Sequence, residues 1–146
     1  MPRQRRHGLP TLQFSGDPGA CRALAEHLLA GRKTVVVRPV TEPDHEPLER
    51  AGERVLLVDA FGRSVAVADV VATRLTTLDG VDAETRRADD PDQPDARRWM
   101  GAQLARWRTA GLLPTDVTDV PVAVVRVRVV GLETPSPASA SHRTPQ

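Results

Sequence analysis

Apolar residues recur at Cys21, Leu24, Ala25 and Leu28, spaced i, i+3, i+4, i+7, which gives a helix one buried face. Asp17 is placed to cap that helix, and Pro18 suits its first position. Gly31 stops it, as a residue in the left-handed region does just past a helix end. A β-branched run follows, and Thr34 to Arg38 reads as a strand. Residues 39–52 mix Pro, Glu, Asp and His without a period and read as a loop. Arg54 to Asp59 and Ser64 to about Thr77 read as two strands of a hairpin, joined by Ala60-Phe61-Gly62-Arg63. The acidic, Pro-bearing stretch from Asp79 to Asp95 holds a short predicted helix near Asp82 to Ala88. Another helix starts at Asp95 or Ala96 with Asp95 as its cap. Trp99, Met100, Gln103, Leu104 and Trp107 form its inner stripe, and Gly111 ends it. Val122 to Val130 is the last strand, in which Val125, Val127 and Val129 alternate with Arg126 and Arg128.

Outside these elements the pattern fails. Residues 1–9 carry Arg3, Arg5, Arg6 and His7 with little apolar content and read as a disordered basic tail. Residues 133–146 are rich in Pro and Ser and read as a second disordered tail. Residues 10–132 are left as one domain, enough chain for a single core. Strands that return at the end, with helices between, suit an α+β fold, a small mixed β-barrel with flanking helices. Strand and helix do not alternate regularly, which argues against a doubly wound parallel sheet.

Composition narrows the function classes. The formal net charge is +1, so any anionic ligand needs a local patch rather than a global field. No apolar run reaches the roughly 18 residues a bilayer span requires, and no apolar h-region follows the basic start. A cytoplasmic protein without a membrane partner is the simplest expectation. Cys21 is the only cysteine, lies on the apolar stripe and reads as a packing residue. His7, His27, His45 and His142 lack metal-ligand spacing, and no phosphate loop or dinucleotide fingerprint is present. Neither a metal nor a cofactor is expected. Trp99 and Trp107, two turns apart on one helix face, read as core rather than base-stacking surfaces. Arg126 and Arg128 share a strand face that either lines a basic groove or is the wet side of the sheet.

Of the 20 basic residues, 19 are Arg and only Lys33 is Lys. Drift from Lys to Arg is tolerated at a solvated site but not where a compact ammonium is required. Lys33 follows a helix end, whose partial negative charge favours a cation. The turn at Gly31 also lets backbone approach a ligand.

The segment Leu29-Ala30-Gly31-Arg32-Lys33-Thr34-Val35-Val36-Val37-Arg38 resembles the signature of ASCH domains, in which a helix ends in Gly-x-Lys-Thr and a strand runs to a closing basic residue. Further pieces fall in the family's order: Phe14 to Asp17, Glu46-Pro47-Leu48, Gly52-Glu53-Arg54-Val55, Val58-Asp59-Ala60-Phe61-Gly62-Arg63, Arg98-Trp99 with Trp107, and Pro121 to Val130. Together they cover about residues 11–132. The resemblance implies a PUA-like fold and an RNA, nucleotide or nucleoside ligand. Gly31, Lys33, Thr34 and Arg38 would line the cleft, with Arg126 or Arg128 extending it.

Some ASCH relatives are small amidohydrolases that deacetylate N4-acetylcytidine, using a Lys, a Thr two residues after the Lys-Thr pair, and a downstream Glu. By resemblance the Lys is Lys33, and the Glu position falls at Asp89 or Asp90, one methylene shorter. The Thr position is Val36, which has no hydroxyl to attack an acyl group. Thr34 shares that strand face but lies roughly 6.5–7 Å along it, beyond hydrogen-bond reach of a shared target. The leading expectation is therefore a binding module centred on Lys33. The rivals are an amidohydrolase using Lys33 with Asp89 or Asp90, and a ribonuclease-like activity.

Overall fold

The computed structural model describes residues 5–14, 19–41, 46–93, 95–109, 111–113 and 120–131. The chain runs β1 (Arg5–Arg6), β2 (Leu9–Gln13), α1 (Cys21–Leu29), β3 (Val35–Pro39), β4 (Arg54–Val58), β5 (Ser64–Thr77), a 3-10 turn (Leu78–Gly80), α2 (Ala83–Asp89), α3 (Ala96–Thr109) and β6 (Pro121–Gly131). The strands form one six-stranded sheet in the order β1-β2-β4-β5-β6-β3. All its ladders are antiparallel except β2 with β4.

Alternation along β3 and β6 sorts their side chains onto two cores. On one face Val36, Ala123, Val125 and Val127 pack with Leu24 and Leu28 of α1 and with Leu12, Val55 and Leu57. On the other Val35, Val37, Val122 and Val124 pack with Val81, Trp99 and Trp107. Burial on both sides explains why β3 reads Val-Val-Val without polar interruption.

Two expectations are corrected here. The sheet does not close into a barrel. β1 and β3 stand at the two ends of the strand order and do not pair, and Leu24 and Leu28 of α1 share a core with Leu12 of β2 and Val36 of β3. Residues 5–9 are not wholly tail: Arg5 and Arg6 form β1, paired with Pro10 and Leu9 of β2. Residues 1–4 and 132–146 lie outside the described residues, as do Asp17 and Pro18, the expected start of the first helix. That helix begins at Cys21, with Ala20 at its cap and no side-chain capping bond.

Asp82 caps α2 by accepting from the Thr85 amide at 2.8 Å. The Thr85 bonds hold its carboxyl below the usual carboxylate range. A depressed folded value contributes stability that is present above the unfolded range near pH 4 and lost as pH falls through the folded value. Asp82→Asn keeps a capping oxygen without the titration. Urea midpoints of this variant should therefore match the native protein at pH 7 and fall less steeply below about pH 4. An identical acid slope would count against the cap.

Candidate functional site

Gly31 takes φ +81° and turns the chain out of α1. The Arg32 and Lys33 amides both donate to the His27 carbonyl, at 2.8 and 3.0 Å, and finish the helix end. The side chains add a second tie. Arg32 Nε donates to His27 Nδ1 at 2.8 Å, which leaves the proton on Nε2, 2.7 Å from Asp92 Oδ2. Arg32 is thus engaged rather than simply solvated.

Lys33 is the most constrained residue of the motif. Its side chain is fully buried, and its ammonium meets Val35 O at 2.6 Å, Asp89 O at 2.8 Å and Asp89 Oδ1 at 2.7 Å. An ammonium has three N–H donors, and all three are spent. Asp89 Oδ2 in turn accepts from Trp99 Nε1 at 3.0 Å and Gln103 Nε2 at 2.8 Å. The network ties the start of β3 to α2 and α3. The Lys33 ammonium, expected to face a ligand, is engaged with the protein's own acceptors, and all three of its partners belong to the protein.

The other motif cations and carboxylates are placed as follows. Arg38 is likewise engaged within the protein. Its Nε donates to both Glu49 oxygens at 3.1 Å, Nη1 donates to Glu46 Oε2 and to Pro39 O, and Nη2 donates to Pro47 O. Burial alone would lower the guanidinium, but the charge and bonds of Glu49 and Glu46 outweigh it and hold it above the ordinary arginine value. Arg38 therefore fastens the segment 46–49 to β3. Asp90 does not join Lys33; its Oδ1 accepts from the Asp92 amide at 3.1 Å and its Oδ2 lies 3.6 Å from Arg106 Nη2. Val36, at the position where the resemblance expects a hydroxyl, is buried in the first core. Arg126 is exposed on β6 opposite Val35 and does not border the groove described next.

A groove of about 480 Å³ opens beside this network. Leu28 to Gly31, Lys33, Thr34 and Val127 to Gly131 line it. Its origin is a mismatch of strand lengths. The β3 ladder begins at Val35 opposite Arg126, and Thr34 O still accepts from the Val127 amide, but β6 continues to Gly131. The last turn of α1 flanks the stretch of β6 that β3 leaves unpaired. Leu29 and Val130, both nearly half exposed, form apolar rims. Thr34 carries the only side-chain hydroxyl among the lining residues, and none of them is acidic. With the Lys33 side chain buried, Arg128 is the one lining cation that reaches solvent, held only loosely by Asp69 at 3.6 Å. Arg128 borders the groove because of the strand-length mismatch, which alternation along β6 alone does not reveal. Among the described residues no group of His, Cys, Asp and Glu could hold a metal ion, and no helix is long and apolar enough to cross a membrane.

No family model matches the chain, and no curated protein matches it by sequence. Solved structures do. A DUF984 protein from Enterococcus faecalis V583 superposes with a TM-score of 0.69 at 18% identity, over 91% of this chain and 83% of that one. An ASCH domain from Lactobacillus crispatus JV V101 superposes with a TM-score of 0.64 at 12% identity, over 83% of this chain and 79% of that one.

Proposed function

We propose that this chain, which has the ASCH-domain fold, is a binding module whose groove takes a nucleotide, free or within RNA. The observation that carries the reading is the groove's division of labour. Its size falls within the range of small-ligand pockets. Leu29, Val129 and Val130 supply apolar walls for a planar base, and Arg128 supplies a mobile guanidinium for phosphate. The end of α1 carries the negative end of the helix dipole, which favours the amino and imino donors of a base over its phosphate. Base toward α1 and phosphate toward Arg128 is the orientation that satisfies both ends. An ASCH-type ligand role for the Gly31-to-Thr34 turn is kept, with its backbone rather than the Lys33 ammonium facing the ligand.

Binding is favoured over amide hydrolysis by the burial of the machinery that hydrolysis would need. The Lys33–Asp89 pair has its donors committed, and position 36 is an apolar core residue. Calorimetric titration with the four ribonucleoside monophosphates tests the reading. At least one should bind, and Arg128→Glu should weaken it by about tenfold, the loss of a charge-assisted contact of about 1.4 kcal/mol. Absence of binding at millimolar nucleotide, or indifference to Arg128→Glu, would remove the groove from consideration. Acetate release from N4-acetylcytidine would restore the hydrolase reading.

A further inference from the structure

The tip of the β4–β5 hairpin is built to hold one aromatic ring in solvent. Phe61 is one of only two Phe in a chain without Tyr, and it is 60% exposed. The backbone beneath it is locked. Asp59 Oδ1 accepts from the Phe61 and Arg63 amides, each at 2.9 Å. The Gly62 amide donates to Asp59 O and the Asp59 amide to Arg63 O, both at 3.0 Å. Burial would raise the Asp59 carboxyl, but its bonds from Arg63 and Phe61 hold it below the usual range, so it remains an anion at neutral pH. That anion pairs with Arg63 Nε at 2.9 Å, and the same guanidinium lies 4.7 Å from the Phe61 ring centroid. The ring is thus fixed by a cation on one side while most of it faces water.

One further cation arrives from β1. Arg6 donates from Nη1 to the Gly62 carbonyl. Among the described residues Arg6 bonds there to a carbonyl oxygen and to no carboxylate. We propose that this tip is a second contact site, for single-stranded nucleic acid, in which a base stacks on Phe61 and a neighbouring phosphate meets Arg6. A rigid aromatic anchor loses little conformational freedom on binding, and stacking on an aromatic ring with flanking cations is how single strands are held without sequence preference. An apolar protein partner would gain little from one ring ringed by arginines.

The placement relative to the groove adds reach. Val67 pairs with Gly131, a groove residue, and Phe61 lies six positions before Val67, at most about 20 Å at strand rise. Groove and tip therefore lie at the same end of the sheet. The tip proposal stands on its own observations and does not require the groove to hold a nucleotide.

Fluorescence anisotropy with a labelled ten-nucleotide oligouridylate tests it. Phe61→Ala should weaken binding by about tenfold, and Phe61→Leu by a similar factor, because leucine keeps apolar area but has no π-face. Phe61→Trp should bind at least as well as the native protein. Arg6→Ala should shallow the dependence of log K on log salt by about 0.7. The proposal is overturned if the native protein does not bind the strand, or if either Phe61→Ala or Phe61→Leu binds like it. Mononucleotide titration separates the two sites: Phe61→Ala should leave it unchanged, and Arg128→Glu should not. Phe61-dependent oligomer binding without mononucleotide binding would sink the groove and keep the tip.

Discussion

Replacing Lys33 with Met should destabilise the protein by about 3–5 kcal/mol, because it leaves a buried carboxylate without its cation. Asp89 would keep the Trp99 and Gln103 donors on Oδ2 but lose the partner of Oδ1. The Val35 and Asp89 carbonyls would lose a donor as well. Lys33→Arg should not rescue the loss, since a planar five-donor fork cannot converge on three acceptors arranged around one point. Lys33→Met with Asp89→Leu should recover much of the stability, because no lone charge is then buried. Urea unfolding of the two singles and the double gives the coupling directly. A Lys33→Met midpoint equal to that of the native protein would mean that the network does not hold α2 and α3 to the sheet.

Restoring a hydroxyl at position 36 should cost stability and bring no turnover. Val36 is 1% exposed and packs with Leu28 and Val125. Threonine is close to valine in shape but brings a hydroxyl into an apolar core, at about 1–3 kcal/mol when no partner is supplied. Val36→Thr should therefore unfold at lower urea than the native protein and release no acetate from N4-acetylcytidine. Turnover in this variant would show that the Lys33–Asp89 pair can act chemically after all. Unchanged stability would show that the hydroxyl finds an acceptor in the core.

These two residues also show what a sequence reveals and what it withholds. Local periodicity was legible: the Leu24–Leu28 stripe, the whole of Ser64–Thr77, the short helix near Asp82, the Asp95 cap and the Trp99–Trp107 core stripe all appear where spacing places them. The resemblance to ASCH domains pointed to the observed fold. Composition marked Lys33 as constrained, and the resemblance set Asp89 beside it as an alternative to Asp90. Neither signal says whether an ammonium faces a ligand or a protein carboxylate, since Asp89 is 56 residues away and the answer depends on burial. β2 escaped notice because Pro10 argues against a strand interior and because its parallel pairing with β4 has no local hairpin signal. The open sheet was likewise out of reach, for closure depends on which distant strands meet.

The ammonium of Lys33 has one more consequence, concerning how the chain avoids its own copies. β3 is the last strand of the sheet, and its Thr34, Val36 and Val40 positions turn their backbone toward β6, so Val35, Val37 and Pro39 turn theirs outward. A valine-rich edge with free backbone groups is a template for aggregation. Here Lys33 occupies the Val35 carbonyl, the Thr34 amide is taken by Ala88 of α2, and Pro39 has no N–H to offer. The lysine thus works with α2 to cover the edge strand, and its loss should be read in precipitation as well as in melting.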